Sequence, residues 1–198
     1  MAQRPLDAWI SDLRRAVYQD VAGGFYDRAQ IVDRAVQYLH DDADESQVRP
    51  LADEVTTAAL KEHHLNAASW PAVTDCDRLD EAFDDLERSG ILARHNYSCC
   101  GNCGAAEIWE ELQQALSAGR AVRGYTFYHE QDTEIAVDGD GIYLNYGATD
   151  DSDAGIAAIA DEVVTVLRER GLSAEWSGSL DKRVHIAMVW RRRRQRDE

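Results

Sequence analysis

Hydrophobic residues in the first 73 positions recur every three or four residues, which is the spacing of one face of an α-helix. The first of these runs is marked by Leu6, Ile10, Leu13 and Val17. Two further runs with the same period follow along the chain. The pattern therefore predicts an N-terminal helical region over residues 1–73.

Capping residues predict where individual helices begin. Asp27 and Gln30 have the spacing of a capping box, in which each side chain binds a free backbone N–H of the other, and they predict the start of a second helix. Pro50 suits the first turn of a third helix, where its missing N–H costs nothing. Thr74 and Asp77 repeat the capping box and predict a fourth helix.

The hydrophobic period changes from helical to alternating near residue 91. Residues 91–98 are predicted as a strand, CCGNCG as a tight turn, and the apolar positions after it as a helix. Tyr125, Phe127 and His129 then alternate with their neighbours in GYTFYHE, and IYLNYG alternates in the same way, which predicts a hairpin with a long connection. One more helix and two final strands complete this part of the chain.

This order of elements predicts an α+β protein whose N-terminal helices pack with a mixed, largely antiparallel sheet. Strand, helix, strand, strand, helix, strand, strand is the order of a split βαβ (ferredoxin-like) sheet with one extra strand. The predicted division is a helical region over residues 1–73 and an α+β domain over residues 74–198 that carries CCGNCG, with the alternative that both form one continuous unit.

Membrane insertion is not expected, because no apolar run approaches the roughly 20 residues that span a bilayer. Asp7 and Asp12 interrupt the stretch where a secretion signal would need its apolar segment. We therefore expect a cytoplasmic location. In that compartment the four cysteines of the chain are expected to be free, metal-bound or redox-active rather than paired in structural disulfides.

The net charge of −16 argues against nucleic acid as a partner, because binding to phosphates requires a basic surface. Five arginines lie in the last eight residues, RRRRQRDE, and are interpreted as a solubilising end to the last strand. An acidic protein of this kind could also mask a basic partner protein, which is one functional alternative.

The cysteine cluster is the strongest candidate for chemistry. Cys100 and Cys103 form a CxxC pair between a predicted strand and a predicted helix, and two glycines allow the tight turn that brings thiols together. A single CxxC supplies half of a zinc site. Cys99, His95 and His129 are the candidates to complete it, and Cys76, at the start of the preceding predicted helix, is a further candidate. Neighbouring cysteines on an extended backbone are, however, expected to point apart.

Two other interpretations of the cluster remain open. Cys100 and Cys103 stand where a helix N-terminus favours thiolate, so they are also candidates for thiol-disulfide exchange, with Cys100 as the nucleophile. All three prolines precede the motif, however, so none can supply the cis-proline of a thioredoxin fold. Alternatively, the cysteines simply pack as small hydrophobic side chains in a tight turn.

No other motif predicts an enzyme. The sequence has no Gly-rich phosphate loop, GxSxG or HExxH motif. His63 and His64 lack a ligand four residues away and are interpreted as a solvated helix face.

The segments from WPAVTDCDRLDEAFDDLERSGILARHNYSCCGNCG through GYTFYHEQDTE to GIYLNYGA and the terminal VWRRR resemble a family of uncharacterised bacterial proteins, a domain of unknown function. The cysteine cluster and GYTFYHEQDTE are the most specific parts of this resemblance. It implies one continuous unit of helices and sheet and carries no assigned activity, cofactor or catalytic residue. Taken together, the sequence predicts a non-catalytic binding or regulatory module with a cysteine-based zinc knuckle and an unidentified protein or small-molecule partner.

Overall fold

The computed structural model describes residues 6–41 and 43–194. The chain divides into two compact units: residues 1–72 together with 191–198, and residues 73–190. Within the described ranges, no helix is both long enough and apolar enough to cross a membrane.

The first unit is a set of helices around its own apolar core. The helices are α1 (Leu6–Gly23), α2 (Arg28–Tyr38) and α3 (Glu45–Ala67). The core side chains recur at the predicted helical spacing and include Trp9, Leu13, Val17, Val21, Ile31, Ala35, Leu39, Val48, Ala52 and Leu60. Burial of one stripe from each helix accounts for the packing of this unit.

Helix starts follow the capping residues with one exception. The capping box of Asp27 and Gln30 forms as predicted, with both hydrogen bonds at 2.8 Å. Helix α3, in contrast, begins at Glu45 after the N-cap Asp44, whose carboxylate accepts a hydrogen bond from the Ser46 N–H at 2.8 Å. Pro50 therefore lies inside α3 rather than in its first turn.

The C-terminal arginines up to Arg194 belong to the structure of this unit, which corrects their interpretation as a solubilising tail. The buried Arg194 guanidinium donates hydrogen bonds to the carbonyl oxygens of Val21 and Tyr26. The Arg192 carbonyl oxygen lies 3.0 Å from the Nε2 of His63, which is buried rather than solvated. Residues 195–198, the rest of the predicted tail, lie outside the described ranges.

The second unit is an α+β structure, as predicted. Its elements are α4 (Asp75–Arg88), β1 (Ile91–Arg94), α5 (Gly101–Ser117), β2 (Gly124–Phe127), α6 (Glu130–Val137), β3 (Ile142–Ala148), α7 (Asp153–Glu169), β4 (Ser173–Glu175) and β5 (Val184–Ala187). The capping box of Thr74 and Asp77 begins α4.

The sheet of the second unit has five strands in the order β1-β2-β3-β5-β4. Only β1 and β2 pair in parallel, and the three other pairs are antiparallel, so the sheet is mixed and largely antiparallel. A split βαβ arrangement occurs at β3-α7-β4, because β5 lies between the two strands. At the other edge β1 and β2 are direct neighbours, so that βαβ unit is not split.

Two faces of the sheet carry different helices. Helix α7 packs against β2, β3 and β4, and it also contacts α4. Helix α5 covers the opposite face of β1 and β2, where Leu92, Phe127, Ile108 and Leu112 form a buried cluster. The apolar positions predicted for α5 are therefore its inner face.

One local prediction in this unit is wrong, and a second is confirmed but incomplete. The strand predicted over residues 91–98 ends at Arg94, because Asn96 and Ser98 adopt positive φ angles of 47° and 63° that an extended strand does not allow. The hairpin of β2 and β3 forms, but its connection contains helix α6, which the alternating pattern did not predict.

Candidate functional site

The turn that presents the cysteines is held in place by the segment that follows β2. The backbone N–H of Tyr97 donates to the carbonyl oxygen of Tyr128 at 2.8 Å, and the N–H of Glu130 donates to the carbonyl oxygen of Ser98 at 3.1 Å. These hydrogen bonds fix both sides of the turn, so the chain enters α5 in a defined direction.

A side chain of α6 also forms a hydrogen bond with the turn. The hydroxyl of Thr133 donates to the side-chain oxygen of Asn96 at 2.7 Å. Asn96 tolerates its left-handed backbone better than most residues because its short polar side chain bonds locally. The turn is therefore anchored by side-chain as well as backbone hydrogen bonds.

The structure brings Cys99, Cys100 and Cys103 together. One ligand atom from each residue lies within 4.8 Å of those of the other two. Cys99 and Cys103 are exposed and Cys100 is half-buried, so the cluster opens to solvent. This exposure is inconsistent with cysteines that merely fill space in a turn.

The prediction that Cys99 and Cys100 point apart is wrong, and the reason is their position. Cys100 is the N-cap of α5, so the chain changes from extended to helical directly after it. Its carbonyl oxygen already accepts the first helical hydrogen bond, from the N–H of Gly104 at 2.9 Å. Alternation of side chains holds along a strand and not across this junction.

The start of α5 also separates the acidities of the thiols. The backbone N–H and thiol of Cys103, together with the N–H of Asn102, lower the pKa of Cys100. The neighbouring Cys99 and Cys100 raise the pKa of Cys103 to about 11. A helix N-terminus stabilises one thiolate. The negative charge of that thiolate then disfavours the ionisation of a second thiol beside it.

His129 lies near the cysteine turn but has other partners. It caps α6, where its Nδ1 accepts a hydrogen bond from the N–H of Asp132 at 3.3 Å, and its Nε2 lies 3.0 Å from Asp132 Oδ2. A Cβ added to Gly101 would lie 3.5 Å from this Nε2, so the ring rests against the start of α5. Both ring nitrogens therefore face Asp132.

The electrostatics of His129 follow from its burial. Desolvation lowers the pKa of His129, the negative Asp132 partly opposes this effect, and the positive Arg183 adds to it. A neutral ring is what the N-cap needs, because Nδ1 must remain an acceptor.

The two remaining candidate metal ligands, His95 and Cys76, do not belong to the cysteine cluster. His95 stacks on Phe83 at 4.3 Å between ring centroids, and its Nδ1 is 2.9 Å from the hydroxyl oxygen of Tyr128. Cys76 is buried in α4. Among the described residues, the group that could hold a metal ion contains only Cys99, Cys100 and Cys103.

Sequence reasoning missed Asp132 and Arg183, which support this region. Asp132 has no exposed surface, and both of its carboxylate oxygens bind Arg183 Nη1, at 2.8 and 3.1 Å. The signal available in the sequence was HEQD, a capping box in which His129 replaces the usual Ser or Thr.

Comparison with known proteins identifies the family. Residues 7–194 match a domain of unknown function, DUF6891, so the chain belongs to that family. No curated protein and no solved structure matches the chain.

Proposed function

We propose that the protein is a non-catalytic binding or regulatory module that holds one zinc ion between Cys99, Cys100 and Cys103. The observation that carries this proposal is the convergence of the three ligand atoms to within 4.8 Å of one another. Sulfur atoms bound to one tetrahedral zinc at about 2.3 Å are ~3.8 Å apart. Small side-chain rotations would therefore bring these sulfurs to zinc distance.

The fourth coordination position defines the proposed role. With three thiolates from the protein, that position falls to water, a small ligand or a donor group of a partner molecule. The contacts of His129 with Asp132 and of His95 with Tyr128 leave these rings committed in the structure. An exposed zinc with one exchangeable position suits recognition or regulation.

The proposed partner is a protein or a small molecule rather than a nucleic acid. The net charge of −16 supports this choice, because a zinc ion bound by three thiolates adds no positive charge overall. We place the protein in the cytoplasm, where a reducing environment would keep its cysteines as the free thiols that a zinc site requires.

The test is zinc content and affinity of the full chain purified under reducing conditions. We expect one zinc per chain, and we expect Cys99→Ser, Cys100→Ser and Cys103→Ser each to lower the zinc affinity by at least about 10-fold. Cys76→Ala is the matched control, because Cys76 lies outside the cluster. His129→Asn tests the alternative fourth ligand: unchanged affinity is expected, since the ring is held by Asp132.

A second candidate function is thiol-disulfide exchange, favoured by the position of Cys100 at the N-cap and Cys103 one turn later in α5. The Cys100 thiolate would attack a substrate disulfide and release one substrate thiol. Cys103 would then displace the second, so that two electrons and two protons pass to the substrate and a Cys100–Cys103 disulfide remains. The lowered pKa of Cys100 supports the order of these steps.

Zinc binding requires all three thiols to stay bound to metal, whereas thiol-disulfide exchange requires Cys100 and Cys103 to be free. Metal content and the oxidation state of the thiols therefore distinguish the two functions. A redox protein would be free of metal, and its Cys103→Ser variant would accumulate a mixed disulfide at Cys100. Stoichiometric zinc that protects all three thiols from oxidation would reject the redox function.

A further inference from the structure

A separate cavity of about 240 Å³ lies in the second unit, on the face of the sheet that α5 covers. Tyr125 and Phe127 of β2 and Asn145 of β3 line it from the sheet, and Lys182 and Arg183 line it from the connection between β4 and β5. It combines an apolar surface with polar donors, which is the usual composition of a small-molecule site.

Two aromatic side chains form the floor of the cavity. The rings of Tyr125 and Phe127 are inclined to each other by 28°, with 6.2 Å between their centroids. Phe127 is almost fully buried, whereas Tyr125 is half-buried. A Cβ at Gly147 would lie 2.5 Å from the Tyr125 ring, and one at Gly104 would lie 2.6 Å from the Phe127 ring. The two glycines therefore let both rings lie close against the neighbouring backbone.

One wall of the cavity is formed by the connection between β4 and β5, which hydrogen bonds hold in place without a ligand. The hydroxyl of Tyr146 donates to the Lys182 carbonyl oxygen at 2.7 Å. The indole N–H of Trp176 is 3.2 Å from the carbonyl oxygens of both Ser179 and Lys182, and its ring meets that of Tyr146 edge to face. A ligand would thus enter a preformed site, which lowers the entropic cost of binding.

Some hydrogen-bond donors that line this cavity have no acceptor among the described residues. Arg183 uses Nη1 for Asp132, and its guanidinium carbon lies 4.9 Å from the centroid of the Tyr143 ring. Neither Nε nor Nη2 of Arg183 has a hydrogen bond to the described residues. The Nδ2 of Asn145 is buried and has no hydrogen-bond partner among the described residues. Among the described residues, the one ion-pair contact of Lys182 Nζ is a long one, 3.9 Å from Asp181, whose carboxylate also accepts a hydrogen bond from the Ser179 hydroxyl.

We propose that this cavity binds a small planar carboxylate. The free edge of a guanidinium presents parallel N–H groups that match the two oxygens of a carboxylate, and Lys182 adds positive charge beside it. The half-buried Tyr125 ring would stack on a planar ligand. An acceptor atom of that ligand would also satisfy the Asn145 amide. This site is independent of the cysteines and does not rest on zinc binding.

The test uses benzoate as the probe and nuclear magnetic resonance titration of the reduced full chain. We expect saturable shifts of the Asn145 side-chain amide and the Trp176 indole N–H, with a dissociation constant of about 1 mM or tighter for a ligand of this size. Benzamide, which has the same shape without the charge, should bind at least about 10-fold more weakly.

Two variants make the test specific. Lys182→Met should weaken benzoate binding about fivefold and leave zinc content unchanged, whereas Lys61→Met, at the other lysine of the chain, should change neither. Asn145→Leu should raise the melting temperature, because it removes a buried unsatisfied donor, and should weaken benzoate binding.

Several results would overturn the proposal. It is wrong if benzoate causes no saturable shifts at these two groups, or if Lys182→Met binds benzoate as tightly as the wild type. It is also wrong if inorganic phosphate binds as tightly as benzoate, because a site that responds only to charge does not recognise a planar carboxylate.

Discussion

Arg183 binds the fully buried carboxylate of Asp132 through Nη1, at 2.8 Å from Oδ1 and 3.1 Å from Oδ2. The same carboxylate accepts the backbone N–H of His129 at 3.2 Å and so closes the capping box of α6. The His129 ring rests against Gly101 at the start of α5. One buried ion pair thus supports both the cysteine turn and the wall of the neighbouring cavity.

Replacing Asp132 with Asn tests this support. The change leaves Arg183 without its counter-charge and weakens the cap of α6. We expect the free energy of unfolding to fall by about 3 kcal/mol, at the lower end of the range for buried pairs, because the Arg183 side chain is 35% exposed. Urea denaturation measures this change in the free energy of unfolding.

The control is Asp84→Asn, at an exposed position of α4, which should change the free energy of unfolding by less than about 0.5 kcal/mol. Equal effects of the two variants would contradict the assignment.

Two glycines in the first turns of α5 provide a matched pair. A Cβ at Gly104 would lie 2.6 Å from the rigid Phe127 ring, whereas one at Gly101 would make an ordinary contact of 3.5 Å with His129. Gly104→Ala should therefore destabilise the protein by about 1–3 kcal/mol. Gly101→Ala should be neutral or stabilising by up to about 1 kcal/mol, because alanine favours helix. Thermal unfolding of both variants checks the prediction, and the reverse order would contradict the packing of α5 on β2.

Stability should fall as the pH falls below about 6.5. Burial lowers the pKa of His129 and of His63 in the folded protein below the ordinary value of 6.5. Between the folded and unfolded pKa values the unfolded chain binds more protons, so the free energy of unfolding rises with pH there and levels off above about 6.5. Denaturation across pH 4.5–8 measures this dependence.

His129→Asn separates the two histidines in that experiment. Asparagine can still cap α6 but does not titrate, so the pH dependence should become shallower while the stability at neutral pH changes little. An unchanged slope would show that His129 does not contribute to the titration.

Cys100 should react with an alkylating reagent before Cys103 in protein freed of metal. The pKa of Cys100 is lowered and that of Cys103 is raised to about 11, and alkylation requires thiolate. Iodoacetamide at neutral pH should therefore modify Cys100 before Cys103, and buried Cys76 last. Mass spectrometry of peptides after brief exposure gives the order. Modification of Cys103 as fast as Cys100 would contradict the proposed environment of the turn.

The sequence predicted the elements whose signals are local. The capping boxes at Asp27 and Thr74 each use residues with strong N-cap preference, and both begin helices in the structure. The helical period also identified the buried face of α5, including Ile108 and Leu112. These features depend on interactions within a few residues, which a single sequence records directly.

Features set by tertiary contacts were not predictable in the same way. The left-handed backbone of Asn96 is stabilised by Thr133, which lies in a different element, so nothing near residue 96 indicated that β1 stops at Arg94. Helix α6 was missed because His129 is an unusual N-cap and depends on Asp132. The partner of Asp132 is Arg183, separated from it by 51 positions.

The cysteine cluster was predicted from its spacing, whereas its geometry was not. The alternation rule predicted that Cys99 and Cys100 diverge, but the change to helix after Cys100 brings both toward Cys103. A strand-to-helix junction has no simple periodicity, so the direction of side chains there must be read from the backbone.

X-ray absorption at the zinc edge of the full chain tests the central claim most directly, because it counts the atoms around the metal. For zinc held by Cys99, Cys100 and Cys103 we predict three sulfur atoms at about 2.3 Å and one nitrogen or oxygen atom at about 2.0–2.1 Å. The Cys103→Ser variant should lose one sulfur or fail to bind zinc. A spectrum with only nitrogen and oxygen neighbours, or a protein that takes up no zinc when reduced, would contradict the account.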